Sequence, residues 1–319
     1  MYVRVIGQDA FPNAEVFSTA TVSHLKAYTN LFSSKHFKIY GLFQNDHSCF
    51  GFWYMFHYSK WGIRFCITPP GLPDIGLQFI NASEKNTTRI GTHKDIFELI
   101  ANTILQTLPD YTELTFPTEF QDMQALLWSK FTITPKYTYH LNLKSEVSVL
   151  LSEMSSELRR SIQNFNYDLV HIRQNENVTV VKSLLAQYSK QKRLKLSTHQ
   201  CMALMEIYRQ FNSGILYTAY THSELVAFAF FKTDFNKAQY VFGAHATNGN
   251  KGIVPNLFWK AITDFKTLHF TLLDFEGSMI PEVERFYRKF GGLKVIQFCA
   301  TRFNFKALIY IWIKRIFRI

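Results

Sequence analysis

The order of strand-like and helical runs repeats once along the chain, and this repeat restricts the fold more than any single motif. In the first half, Ile39–Phe43 and Cys49–Phe56 flank the polar turn Gln44–Ser48, and Ile63–Thr68 follows as a third strand. In the second half, Leu216–Tyr220 and Leu225–Phe231 flank His222, Ser223 and Glu224, and Gln239–Ala244 follows. Apolar, β-favouring runs on both sides of a short polar turn are hairpin signatures. Downstream, the first half predicts a helix near 95–107, a strand at 113–116, a helix near 120–128 and a strand from Phe131. The second half predicts a helix near 253–265, a strand at 269–275, a helix at 281–290 and a strand from Leu293. Two copies of one mixed α/β unit are the simplest reading. The boundary falls near Leu143, where strand-like Thr138–Leu143 gives way to a helical pattern over 145–165 with Ser145 as N-cap. Two further helices, near 178–192 and 198–211, complete a helical insertion over 145–212 at the start of the second unit. The expected division is 1–143, 144–301 and a tail, 302–319.

Leu272–Phe298 carries the chemistry best. A buried-type strand runs into Phe275–Ser278, then into a helix whose Val283, Phe286, Tyr287 and Phe290 share one face, and Gly291 and Gly292 end it. Ligands of open α/β sheets collect where strands run out and helix N-termini offer N–H groups, so Glu276, Gly277 and Ser278 form a candidate site lip. Asp274 and Glu276 lie two apart, which predicts one shared face, with Glu276 as a base or as a holder of an attacking amine. The bland alternative makes Asp274 a buried acceptor and Glu276 a solvent-facing carboxylate. His245, in the turn Ala244–Pro255, is a second candidate proton acceptor.

The Asp-aromatic-x-Gly-Ser element Asp274–Ser278, followed by Phe286-x-x-x-Phe290-Gly291, resembles the C-terminal signature of the FemABX aminoacyltransferases, which build peptidoglycan cross-bridges and belong to the GNAT-like acyltransferases. Thr68–Leu77 and Tyr137–Leu143 echo the family in the same order. The resemblance implies an α/β fold of two tandem GNAT-like units with mixed sheets, and transfer of an acyl or aminoacyl group to an amine, in modification of a cell-wall or cell-envelope precursor. It implies no tightly bound cofactor, with acyl-CoA or aminoacyl-tRNA as donor substrate. It puts Arg159 and Arg160 on a basic helix near the substrate groove, with Ser278, Arg288 and Lys289 as further substrate-binding residues. Where relatives commonly have a lysine, this chain has Tyr287, which becomes a catalytic candidate. In acyl-CoA-using relatives the turn opening the helix near 253 binds pyrophosphate. Here Asn248, Gly249, Lys251 and Gly252 would do so, although the usual glycine order is missing.

The charges agree with an anionic partner without choosing one. The 35 Lys and Arg exceed the 24 Asp and Glu, a formal +11, which suits tRNA, a nucleotide, a thioester or an acidic lipid surface, or a merely solvated exterior. Lys182–Lys195 carries five basic residues and no acid beside Tyr188, and reads either as a phosphate-binding face or as a hydrated helix. Residues 302–319 carry five more, interleaved with large apolar side chains, and either pack on their own unit or contact an anionic membrane. Hydrophobic residues make up 47% and charged ones 18%, which excludes disorder. No paired-cysteine or histidine spacing suggests a metal site. The opening residues lack an apolar signal core, so a cytoplasmic protein is expected. A non-catalytic reading is a GNAT-fold module that binds an anionic partner without consuming a donor.

Overall fold

The computed structural model describes residues 1–6, 28–29, 31–33, 35–81, 83–192, 196–246, 252–277 and 279–310. They fall into two compact α/β units, one built from 1–17, 32–136 and 296–319 and the other from 18–31 and 137–295. Each holds a mixed sheet, as the repeated pattern predicts.

In the first unit, β1 (Tyr2–Ile6), β2 (Phe37–Phe43), β3 (Cys49–Lys60) and β4 (Ile63–Ile67) form an antiparallel meander, with the two-residue β5 (Gln78–Phe79) on β3. Helix α1 (Asn86–Gln106) returns the chain so that β6 (Tyr111–Thr115) runs parallel to β4, and a short α2 (Gln124–Trp128) follows. Ile96, Phe97, Ile100, Ala101 and Ile104 of α1 are buried at helical spacing against Trp53, Met55, Leu114 and Phe116. The helix begins nine residues before the expected Asp95, because its first turns are exposed and carry no apolar stripe to read.

In the second unit the strand order is β7 (Thr132–Asn142), β12 (Leu272–Asp274), β11 (Lys237–His245), β10 (Glu224–Asp234), β9 (Gly214–Thr221), β8 (His171–Gln174). Only the β11–β12 pair is parallel, joined through α7 (Ile253–Thr267). Phe258 of α7 sits at the centre of the core, its ring 5.0–6.0 Å from those of Phe231, Tyr240, Phe275, Phe286 and Phe290.

The helix expected over 145–165 is two, α3 (Val147–Glu153) and α4 (Ser156–Gln163), broken at extended Met154. The cap is Ser155, whose hydroxyl accepts from the Leu158 N–H, and not Ser145. The break lets the Ser155 N–H donate to the Lys289 carbonyl at 2.9 Å. It also explains Gly291, at φ 79°, where a Cβ would sit 2.7 Å from the Glu153 carbonyl oxygen. A 3-10 turn (Val178–Val181), α5 (Lys182–Lys192) and α6 (Thr198–Gln210) complete the insertion, and α8 (Pro281–Arg288) precedes β13 (Leu293–Phe303). Residues 299–303 of β13 pair with β6, so the first unit takes its last strand from the chain's end, while β7 serves the second unit.

Candidate functional site

The second sheet opens between β11 and β12. Their pairing covers only Lys237–Leu272, Ala238–Leu273 and Gln239–Asp274. There β12 stops, and the Phe275 N–H turns away to donate to the Tyr139 carbonyl of β7. Strand β11 runs on to His245, paired with β10 on one side and with no strand on the other among the described residues. A bulge at Val241, where Phe230 opposes Phe242 but Phe231 opposes Tyr240, bends the strand at the point of divergence. Gly243 keeps β11 close to its neighbour, because a Cβ there would collide with the Phe228 carbonyl. A splayed edge of this kind presents backbone donors and acceptors to an extended ligand.

Asp274 closes the inner end of the opening. It is buried, accepts from Thr138 Oγ1 at 2.6 Å, from Gln239 Nε2 at 3.4 Å and from the Glu276 N–H at 2.9 Å, and lies 3.2 Å from Lys237 Nζ and 3.4 Å from His140 Nε2. Burial works to raise its carboxyl, but His140, the Lys237 ammonium and the Thr138 hydroxyl outweigh it and hold it well below the usual carboxylate range. A carboxylate so committed has no lone pair left for a substrate proton and acts as the post on which the next residues turn. Glu276 is next, half-buried, at φ 57°. A positive φ on a non-glycine residue is uncommon and is held here by the Asp274–Glu276 turn. It also removes the reason for expecting Asp274 and Glu276 on one face, since period-two alternation ends with the strand.

Around Glu276 the chain gathers tyrosines that the sequence scatters. The Tyr240 and Tyr287 rings lie 6.3 Å apart at 69°. Burial, then Tyr188 and the Glu276 charge, push the Tyr240 phenol up. Burial, then Tyr240 and Glu276, do the same to Tyr287. Tyr28 is raised by burial, then by Tyr208, Cys201 and Glu276. These phenols stay protonated, and each feels the Glu276 charge. Tyr28, Tyr208 and Tyr240 escaped sequence reasoning, and Tyr188 was read only as part of its basic helix, because contacts across such separations leave no local spacing.

A depression of about 580 Å³ lies at the N-terminus of α7, lined among others by Arg160, Ser161, Asn164, Phe165, Glu157 and Gly252. Two predicted residues, Arg160 on α4 and Gly252 at the N-cap of α7, meet here. Buried Asn256 ties the elements together, its Nδ2 donating to the Gly252 carbonyl at 2.8 Å and to the Ser161 carbonyl at 3.3 Å. A helix N-terminus beside a guanidinium suits an anion. Asn248, Gly249, Lys251 and Ser278 lie outside the described residues.

Arg160 Nε donates to the Ser156 carbonyl at 3.2 Å, and the other candidates have partners too. Arg159 donates to the Ser152 carbonyl at 3.5 Å. Arg288 Nε lies 3.3 Å from Glu284, which also accepts from the Tyr139 hydroxyl, and Lys289 Nζ donates to Glu157 at 2.7 Å. His245 is exposed at the end of β11, its Nδ1 3.2 Å from the Ala246 carbonyl. Tyr287 is buried in the core below Glu276.

The first unit has no matching opening among the described residues. There β4 ends at Ile67, and the Thr68–Leu77 stretch folds into the place. The Thr68 N–H donates to the Glu113 carbonyl, the Ile75 N–H to the Thr115 carbonyl and the Tyr54 N–H to the Ile75 carbonyl, each at 2.9 Å. Ile75 and Leu77 are buried. The segment is therefore cover for its own sheet.

No protein-family model matches the sequence. No curated protein matches it either. Solved structures do match over nearly the whole chain. FemX superposes with a TM-score of 0.68 at 9% identity, covering 98% of this chain and 99% of its own. The C-terminal domain of a protein designated a lysylphosphatidylglycerol synthetase, from Agrobacterium fabrum, gives 0.58 at 9% identity, covering 92% and 90%. A tandem GNAT protein from the clavulanic acid biosynthesis pathway gives 0.53 at 8% identity, covering 94% and 98%. Among the described residues no helix is long and apolar enough to cross a membrane. The chain has a FemX-like tandem GNAT fold.

Proposed function

We propose that the protein transfers an acyl or aminoacyl group from an activated donor to an amine, at the opening between β11 and β12. The observation that carries this reading is the edge of β11 past Gln239, to which no described strand pairs, with Glu276 just beyond the end of the neighbouring strand. Backbone N–H groups on that edge would hold the donor's carbonyl oxygen as charge develops on it, and the two strands would fix the angle of approach. The amine nitrogen attacks the carbonyl carbon, forming a C–N bond. The bond to the leaving group then breaks, a thioester C–S bond releasing CoA or an ester C–O bond releasing tRNA. The amine's proton passes to Glu276, the first candidate base, with His245 the second. Arg160 and the α7 N-terminus would anchor donor phosphates, which both donor classes carry.

That FemX and a lysylphosphatidylglycerol synthetase domain share the fold favours an aminoacyl group, while a tandem GNAT protein with the same fold keeps acyl-CoA in play. The acceptor amine is placed on a cell-wall or cell-envelope precursor, as the resemblance to the FemABX transferases implies. The test is a thermal shift with acyl-CoA thioesters and, separately, with charged tRNA. A ligand at about 100 times its Kd adds about 2.7 kcal/mol to folding stability. Stabilisation by one class identifies the donor, and stabilisation by neither removes the proposal.

A further inference from the structure

One end of the first unit's sheet carries large apolar side chains that are exposed among the described residues. Three stretches meet there: the β3–β4 turn around Trp61, residues 108–110 ahead of β6, and the chain after β13. Asn304 Nδ2 donates to Asp110 Oδ1 at 2.8 Å, the Asn304 N–H to the Asp110 carbonyl at 3.0 Å, Lys306 Nζ to the Gly62 carbonyl at 2.7 Å, and the Tyr310 ring lies 5.6 Å from that of Trp61. Residues 305–310 are helical, with Ala307 buried against Ile63 and Phe65. Packing therefore uses Ala307 and Tyr310, one turn apart, and turns Phe305, Leu308 and Ile309 outward as a second stripe. Trp61 is 65% exposed, Leu108 65% and Phe305 77%, with Phe303, Leu308 and Ile309 exposed beside them.

The exposed charges at this end are positive. Lys60, Arg64, Arg302 and Lys306 are exposed. Of the nearby acids, Asp110 is buried against Arg64, and half-buried Glu113 accepts from the Tyr111 hydroxyl and lies 3.5 Å from Lys136. Aromatic and aliphatic groups beside Lys60, Arg302 and Lys306, with Arg64 alone paired to a carboxylate, match the boundary of an anionic bilayer, where tryptophan and phenylalanine sit at headgroup depth and each cation strengthens attachment. A protein partner would need an equally apolar and acidic face, whereas an anionic lipid surface supplies both properties.

We propose that this end of the first unit docks on an anionic membrane surface. The test is co-sedimentation of the full chain with phosphatidylcholine vesicles, with and without phosphatidylglycerol, in the absence of any acyl donor. Its outcome is thus independent of whether the protein is a transferase. Binding is expected to require phosphatidylglycerol, to weaken with salt, and to fall about five-fold for each charge removed in R302A and K306A. F305S/L308S is expected to abolish it while leaving the melting temperature within a few degrees, since both side chains face outward. Three results would overturn the proposal: no binding to phosphatidylglycerol vesicles, undiminished binding of F305S/L308S, or a concentration-dependent oligomer that the same substitutions dissolve. Stronger binding after deletion of 311–319 would also overturn it, by making the chain's own end the occupant.

Discussion

Glu276 combines a left-handed backbone with a carboxylate among buried phenols, and the two properties can be separated. Asparagine tolerates positive φ and carries no carboxylate. Glu276→Asn is expected to hold stability within about 0.5 kcal/mol while lowering the transfer rate about 10²- to 10⁴-fold, as measured by single-turnover kinetics beside thermal melts. Asp274 should behave in the opposite way. Its removal strands Lys237 and the Thr138 and Gln239 donors, so Asp274→Ala is expected to cost about 3–5 kcal/mol in denaturant melts. Because its carboxyl is depressed in the fold, the stability it supplies is present above the ordinary carboxylate value and drains as pH falls below it. In the first unit, His57 Nε2 lies 2.9 Å from the Tyr40 hydroxyl, and burial, with Lys38, lowers its pKa from 6.5 to about 4. The unfolded chain then takes up the proton first, so stability is full above pH 6.5 and lost as pH falls from 6.5 towards 4. Melting temperature against pH should show that slope, and His57→Gln should flatten it.

Elements were legible in the sequence where burial imposed a period. The hairpins β2–β3 and β9–β10, and helices α7 and α8, carry their apolar stripes openly, and the left-handed residue after α8 is announced by Gly291. Strand β8 went unread because its four residues, His171–Gln174, are mostly polar and exposed, and the first turns of α1 for the same reason. The break between α3 and α4 has a local mark in the Ser155 cap, but the approach of Glu153 to Gly291 that goes with it is tertiary and leaves no local spacing. The site was half legible. Glu276 follows from the strand-to-helix junction and Gly252 from the turn before α7, but the opening itself depends on β12 being three residues long. Gly243 reads as an ordinary strand glycine until the Phe228 carbonyl appears against it. Gly243→Ala should force β11 away from β10, at about 1–3 kcal/mol, with loss of donor-induced thermal shift as the functional readout.

At the scale of the molecule, sequence order and spatial grouping part at two strands. The second unit depends on β7, which supplies Thr138 and His140 to Asp274, and the first on β13. A fragment comprising 144–319 lacks β7, leaves the edge of β12 unpaired and Asp274 short of two neighbours, and should express insoluble where the full chain does not. The repeat has also been put to unequal use. The first copy fills its strand gap with Ile75 and Leu77, and in the second no described strand pairs with β11 beyond Gln239 on the β12 side. The most direct measurement is mass spectrometry of amine acceptors incubated with the protein and either an acyl-CoA thioester or an aminoacyl-tRNA, comparing the natural chain with Glu276→Asn. Acyl transfer at the second unit's opening predicts a donor-dependent N-acylated product that is lost in Glu276→Asn. Absence of product with both donor classes from folded protein, or undiminished product from Glu276→Asn, would contradict it.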